Sequence, residues 1–124
     1  MEPDVSLIIP CYNEQDHIGN CLKSIRSQNL PPNNYEIIVV DNGSTDNSLK
    51  AASEHADKVL SAPDQKVGAV RNLGASYAKG HILAFLDADC TIDENWLMRA
   101  IQLAQTSTNT VYGGGVLLPE DATW

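Results

Sequence analysis

Basic residues are scarce: eight Lys and Arg stand against 16 Asp and Glu, a formal charge of -8 over 124 residues. That sign is wrong for tracking a polyphosphate backbone or lying on an anionic membrane, so nucleic acid is excluded as the main partner. Cysteine is sparse too. Cys11, Cys21 and Cys90 are odd in number and form no C-x-x-C, which argues against a disulfide framework or a zinc site and for three buried small hydrophobes in a reducing compartment. No apolar run approaches the ~20 residues that a membrane helix needs, and the Met1-Glu2-Pro3-Asp4 start is acidic, unlike a signal peptide. The expectation is a cytoplasmic chain without a membrane span. Repeats and low-complexity stretches are also missing, so residues 1–124 are read as a single domain. With 43% hydrophobic and 19% charged residues, that domain can fill one core. Finally, Pro10-Cys11-Tyr12-Asn13-Glu14 holds none of the glycines of a dinucleotide fingerprint, and no G-x-x-x-x-G-K-[ST] occurs. NAD, FAD and P-loop chemistry are thereby disfavoured.

What is present is an alternation. Val5 to Pro10, Glu36 to Val40 and His81 to Leu86 are short apolar runs of the kind buried on both faces of a parallel sheet, with Lys58 to Ser61 and Val111 to Leu118 as weaker strands. Between them, Ile18, Cys21, Leu22 and Ile25 follow the spacing of one buried helix face, with Asn13 placed to cap its start. Asp46 to Glu54 forms a second helix behind Ser44 and Thr45. Val70, Leu73 and Tyr77 line a third, stopped by Gly80. Leu97, Met98, Ile101 and Ala104 line a fourth, opened by the capping-box spacing of Thr91-Ile92-Asp93-Glu94. The order predicts an α/β fold, an open doubly wound, mostly parallel sheet with helices on both faces.

Ligands of such sheets bind outside the carboxyl ends of the strands, where the strand order reverses. Those ends carry Cys11-Tyr12-Asn13-Glu14, Asp41-Asn42-Gly43-Ser44-Thr45-Asp46 and Asp87-Ala88-Asp89. If the first strand lies between the second and the fourth, all three clusters face one crevice. Asp87 and Asp89 are read as pointing the same way from extended backbone, where they repel unless a cation such as Mg²⁺ or Mn²⁺ shares them. A pair of solvated loop aspartates is the alternative. Asp41 stands where these folds place an acid that accepts from a ribose or base, or else it forms an Asx-turn ahead of Gly43. Asp46 reads as a helix-start residue. Arg71 is either a planar donor fork for a phosphate or base, or a plain surface arginine. Of the histidines only His17 is placed near the crevice, and Gly113-Gly114-Gly115 permits a sharp bend.

Together, Val5-Ser6-Leu7-Ile8-Ile9-Pro10-Cys11-Tyr12-Asn13-Glu14, Ile38-Val39-Val40-Asp41-Asn42-Gly43-Ser44-Thr45-Asp46, Arg71-Asn72-Leu73-Gly74 and Asp87-Ala88-Asp89 resemble family 2 of the inverting glycosyltransferases, over about residues 5 to 118. The resemblance implies the GT-A, Rossmann-like fold, a nucleotide-diphosphate sugar as donor, most often linked to uridine diphosphate, and Mn²⁺ or Mg²⁺ as cofactor. By matching position it puts Pro10, Tyr12 and Glu14 around the nucleoside, Asp41 on the base and Arg71 near the base or diphosphate. Asp87 falls to the ribose and metal, and Asp89 to direct metal ligation.

The second half of that family supplies acceptor-binding elements and the carboxylate that takes the acceptor's proton. Nothing resembling it precedes Trp124, so no catalytic base is assigned, and the saccharide, lipid or protein acceptor is left open. The expectation is the N-terminal donor-binding part of a longer enzyme, covering its flank at Val111 to Leu118 by pairing as a homodimer. A non-catalytic nucleotide-sugar-binding or interaction module is the alternative. A receiver domain is disfavoured because Ser61 ends the third strand, and a haloacid-dehalogenase-like phosphatase because its D-x-D follows the first strand.

Overall fold

The computed structural model describes residues 2–106. Four strands, β1 (Val5–Cys11), β2 (Tyr35–Asp41), β3 (Lys58–Ser61) and β4 (Ile82–Phe85), alternate with four helices. These are α1 (Ile18–Arg26), α2 (Ser48–Ser53), α3 (Val67–Ser76) and α4 (Trp96–Thr106), and a 3-10 turn, Pro32–Asn34, precedes β2. The strands form one sheet in the order β3-β2-β1-β4, and every pair is parallel. This is the expected open, doubly wound α/β sheet. The fifth strand expected at Val111 to Leu118, the bend at Gly113-Gly114-Gly115 and the homodimer edge lie outside the described residues.

The runs of β1 and β2 became strands because both of their faces are covered; in β4 Ala84 is buried but Leu83 and Phe85 stay nearly half exposed among the described residues, so that run is covered on one face only. Val5, Leu7, Ile9 and Cys11 of β1 and Tyr35, Ile37 and Val39 of β2 pack with Ile18, Cys21, Leu22 and Ile25 of α1, Ala52 of α2 and Leu97 of α4. The alternate positions Ile38 and Val40 face the other way, onto Ala62 and Val70, with Leu73 against them. Helix α3 lies so close to that face that a Cβ on Gly74 would stand 2.5 Å from Ile8 Cγ2. A side chain there would push α3, and Arg71 with it, off the sheet.

The helix ends depart from expectation. Asn13 does not cap α1: the residue before its first turn is His17, which makes no side-chain cap, and the Glu14 carbonyl accepts from the His17 and Ile18 N–H groups instead. Ser44 and Thr45 do not cap α2, which begins at Ser48. Asp46 serves that end, accepting both the N–H and the hydroxyl of Ser48. Helix α3 ends at Ser76 rather than running to Gly80; Tyr77 is largely exposed, with the Lys58 ammonium over its ring. Gly80 lies in the loop before β4, where its N–H donates to the buried Ser6 hydroxyl. Thr91 to Glu94 precede α4 rather than opening it, and Met98 faces outward. The start of α4 is tied to α1 by Gln28, a buried amide that donates to the Ser24 and Asp93 carbonyls and accepts the Leu97 N–H.

Candidate functional site

From β1 the chain winds outward to β2 and β3 and then returns past β1 to lay down β4. The strand order therefore reverses between β1 and β4. In a parallel sheet the carboxyl ends all lie on one edge, so the loops after β1, β2 and β4 gather around that reversal. The condition for one shared crevice is met.

The loops after β1 and β2 are joined by a run of hydrogen bonds between residues more than thirty positions apart. The Asn42 N–H donates to the Cys11 carbonyl at 2.8 Å, continuing the ladder past the strands. The Asn13 N–H donates to Ser44 Oγ at 2.9 Å, and Asn13 Oδ1 accepts the Thr45 N–H at 2.8 Å. The Glu14 N–H donates to Ser48 Oγ at 2.7 Å, the Gln15 N–H to Asp46 Oδ2 at 3.3 Å, and the Asn47 N–H to Gln15 Oε1 at 3.1 Å. Two turns in this clasp need left-handed backbone, at Asn13 (φ 50°) and Gly43 (φ 79°); asparagine and glycine are the residues that adopt it at low cost. The clasp holds the Asp46 carboxyl below the ordinary carboxylate range, chiefly through the Ser48 hydroxyl and then through backbone N–H groups.

Asp41 lies beneath this clasp, only 5% exposed. Its Oδ2 accepts the Ser44 N–H at 3.0 Å, three residues on rather than the two of an Asx-turn, but its Oδ1 is buried with no hydrogen-bond partner among the described residues. A buried polar group left without a hydrogen-bond partner costs about 1–3 kcal/mol, and more when it is charged. The bond to Ser44 thus accounts for one oxygen, and the other is available to a further donor. In the same stretch of chain, Pro10 is part-buried and opposite Val40 in register, Tyr12 is 57% exposed, Glu14 is half-buried, and His17 is half-buried at the start of α1.

After β4 the carboxylates converge for a reason different from the expected one. Residues 87–90 form a turn, closed by the Cys90 N–H on the Asp87 carbonyl at 3.0 Å, with Ala88 buried beneath it. Extended backbone therefore does not align Asp87 with Asp89; the turn does. A carboxylate oxygen from each and Cys90 Sγ all lie within 4.8 Å of one another. Burial and the neighbouring Asp89 push the Cys90 thiol up to about 11, so it is neutral at physiological pH and offers its S–H to Asp89 Oδ1 at 3.5 Å. The two hard carboxylate oxygens of Asp87 and Asp89 suit Mg²⁺ or Mn²⁺. Arg71 approaches the same group, with Nη2 at 3.4 Å from Asp87 Oδ1 and a buried Nε that has no partner. The guanidinium can thus serve an anion beside the cation.

Cys11 and Cys21 are buried as well. Burial, aided at Cys11 by Asp41 and at Cys21 by Cys90, pushes these thiols up to about 11 and about 12. All three behave as the buried hydrophobes expected. Asn13, Gln15, Ser44 and Ser48, which build the clasp, escaped the sequence reading as cross-loop partners, because their spacing carries no period that a local pattern could reveal.

The glycosyl transferase family 2 profile matches residues 6–124. Glycosyltransferase AglE of Haloferax volcanii is 38% identical over 120 residues, which cover 92% of this chain and 40% of that protein. Among solved structures, TarS 1-349 of S. aureus in complex with UDP-GlcNAc superposes with a TM-score of 0.76 at 28% identity, covering 86% of this chain and 32% of that one. The mannosyltransferase PcManGT of Pyrobaculum calidifontis, in complex with GDP-Man and Mn²⁺, superposes at 0.77 with 26% identity, covering 84% and 33%. The chain spans no more than about two fifths of these proteins. The profile covers nearly the whole chain and the sheet superposes on both solved enzymes, so this chain belongs to glycosyl transferase family 2.

Proposed function

We propose that this chain supplies the donor side of a glycosyltransferase, binding a nucleotide-diphosphate sugar together with a divalent cation at the carboxyl edge of its sheet. The observation that carries the reading is the unpartnered buried Oδ1 of Asp41, on the same edge as the converging carboxylates of Asp87 and Asp89. Asp41 accepts a hydrogen bond from the base, while Pro10, Tyr12 and Glu14 border the nucleoside. Arg71 binds the diphosphate, and Asp87 reaches the ribose and shares the cation with Asp89. A bound Mn²⁺ or Mg²⁺ would neutralise charge on the departing diphosphate. The chain's own part is to fix the nucleotide and keep its carboxylates from repelling it. No described residue is assigned the acceptor's proton, so sugar transfer by this chain alone is expected to be weak or nil. Uridine, guanosine and adenosine diphosphate, titrated by calorimetry with and without Mn²⁺, test the reading. Binding is expected only with the cation; equal affinity in its absence would refute the cation's part, and sugar turnover by the purified chain would refute the missing base.

A further inference from the structure

The fold treats the two oxygens of Asp41 differently, and the cause lies outside β2. Oδ2 is held by the Ser44 N–H at 3.0 Å, while Oδ1 has no partner. Ser44 is itself fixed from the other loop, its Oγ accepting the Asn13 N–H at 2.9 Å. Asn13 closes the circuit from its side chain, where Oδ1 accepts the Thr45 N–H at 2.8 Å. A relay thus runs from the β1 loop through Ser44 to the carboxylate. A carboxylate pinned by one oxygen has its plane fixed, and the other oxygen is held bare.

We propose that Asn13 and Ser44 are positioning residues that set the nucleobase preference of this chain. Resting on the reading of this edge as a nucleotide site, they act by presenting Asp41 Oδ1 as a fixed, acceptor-only group. Such a group selects for a base whose Watson–Crick ring nitrogen carries hydrogen, as uracil's does between two carbonyls and guanine's between a carbonyl and the carbon bearing the amino group. The matching ring nitrogen of adenine or cytosine is itself an acceptor and is repelled. A loosened relay lets the carboxylate turn, and the distinction between donor and acceptor bases fades while the cation and diphosphate contacts persist.

The test is calorimetric titration of the whole chain with uridine, guanosine, adenosine and cytidine diphosphate, each with Mn²⁺. Ser44→Ala removes the acceptor for Asn13, and Asn13→Gly removes the acceptor for Thr45 while tolerating the left-handed backbone. Each is expected to lower the preference for the better of uridine and guanosine diphosphate over adenosine diphosphate by about two- to tenfold. Mn²⁺ affinity measured alone should not change. Ser44→Thr, which keeps the hydroxyl, should restore the preference, and in an Asp41→Ala background Ser44→Ala should add nothing. Circular dichroism checks folding, and if Ser44→Ala does not fold, Asn13→Gly carries the same comparison. Equal weakening toward all four nucleotides, or an effect that survives in the Asp41→Ala background, overturns the relay. Lost preference in Asp41→Ala with none in Ser44→Ala or Asn13→Gly also overturns the relay and leaves the nucleotide site standing. Absence of any nucleotide binding by the unaltered chain overturns both.

Discussion

The two sides of the carboxyl edge are built in opposite ways. The side formed by the β1 and β2 loops is cross-linked, with Asn13, Glu14 and Gln15 bonded to Ser44, Thr45, Asp46, Asn47 and Ser48, and its acid is buried and half satisfied. The side after β4 is a short turn whose Asp87 side chain is 55% exposed and contacted by one half-exposed arginine. A rigid, desolvated acceptor discriminates by hydrogen-bond geometry, because a wrong partner leaves it unpaired. An exposed carboxylate pair cannot discriminate in that way, but it keeps water access and freedom to adjust, which a hard, hydrated cation needs. On the proposed reading, recognition and charge neutralisation fall to separate structures on one edge of the sheet.

The largest expected effect separates these two sides directly. Asp89→Ala should reduce Mn²⁺ affinity by at least about tenfold, since a hard-ion site loses one of two carboxylates. It should leave the ranking of nucleobases intact. Asp41→Ala should do the reverse, weakening the preferred nucleotide by about 1–3 kcal/mol through loss of a charge-assisted hydrogen bond while changing Mn²⁺ affinity little. Electron paramagnetic resonance of free Mn²⁺ and calorimetry with the diphosphates read the two quantities independently. If Asp41→Ala abolished Mn²⁺ binding, or Asp89→Ala erased base preference, the two sides would be one coupled site.

The parts of this arrangement readable in the sequence were those with a local signal. Apolar runs marked β1 and β2, which are buried on two faces and need no alternation, and also β4, although its Leu83 and Phe85 are exposed; Asp41 and the Asp87–Asp89 pair stood out by following such runs. The clasp was not readable: Asn13 has the composition of a helix cap, and only its left-handed φ and its partner 31 residues away show that it spans two loops instead. Likewise Asp87 and Asp89 invited an extended-strand argument because nothing local announces that the chain turns at Ala88. Gln28 could not be foreseen either, since a glutamine after a helix is ordinary until α4 is laid across it.

A smaller effect separates the sides by pH. Asp46 lies in the clasp with its carboxyl held low, chiefly by the Ser48 hydroxyl. A carboxyl whose folded value lies below its unfolded one stabilises the fold above the ordinary carboxylate range, near pH 4. That contribution is lost as pH falls through the lowered folded value. Asp46→Asn should therefore melt below the unaltered chain at neutral pH, and the two melting curves should draw together as the pH falls below the ordinary carboxylate range. Asp93, held low chiefly by the Asn95 N–H and also by Arg99, makes the matching test on the β4 side, at the approach to α4. A gap in melting temperature that stayed constant from neutral to acid pH would show that the Asp46 carboxylate does not brace the clasp.

The smallest effect is kinetic, and it uses thiols placed on both sides. Cys11 ends β1 under the clasp and Cys90 ends the acidic turn; both are buried, and both thiols are pushed up to about 11. Once opened to solvent, each reacts as an ordinary cysteine thiol, so a difference in labelling rate measures how often each side opens. Cys21, on the buried face of α1 and pushed up to about 12, serves as the slow reference. The clasp is tied by many more bonds than the turn, so Cys90 is expected to label first, then Cys11, then Cys21, as followed by mass spectrometry of peptides. Added Mn²⁺ should slow Cys90 more than Cys11, because a cation shared by Asp87 and Asp89 would tighten the turn and leave the clasp as it is. Faster labelling of Cys11 than of Cys90 would place the mobile side of the crevice at the nucleobase and the rigid side at the cation, inverting the division of labour between the two loops.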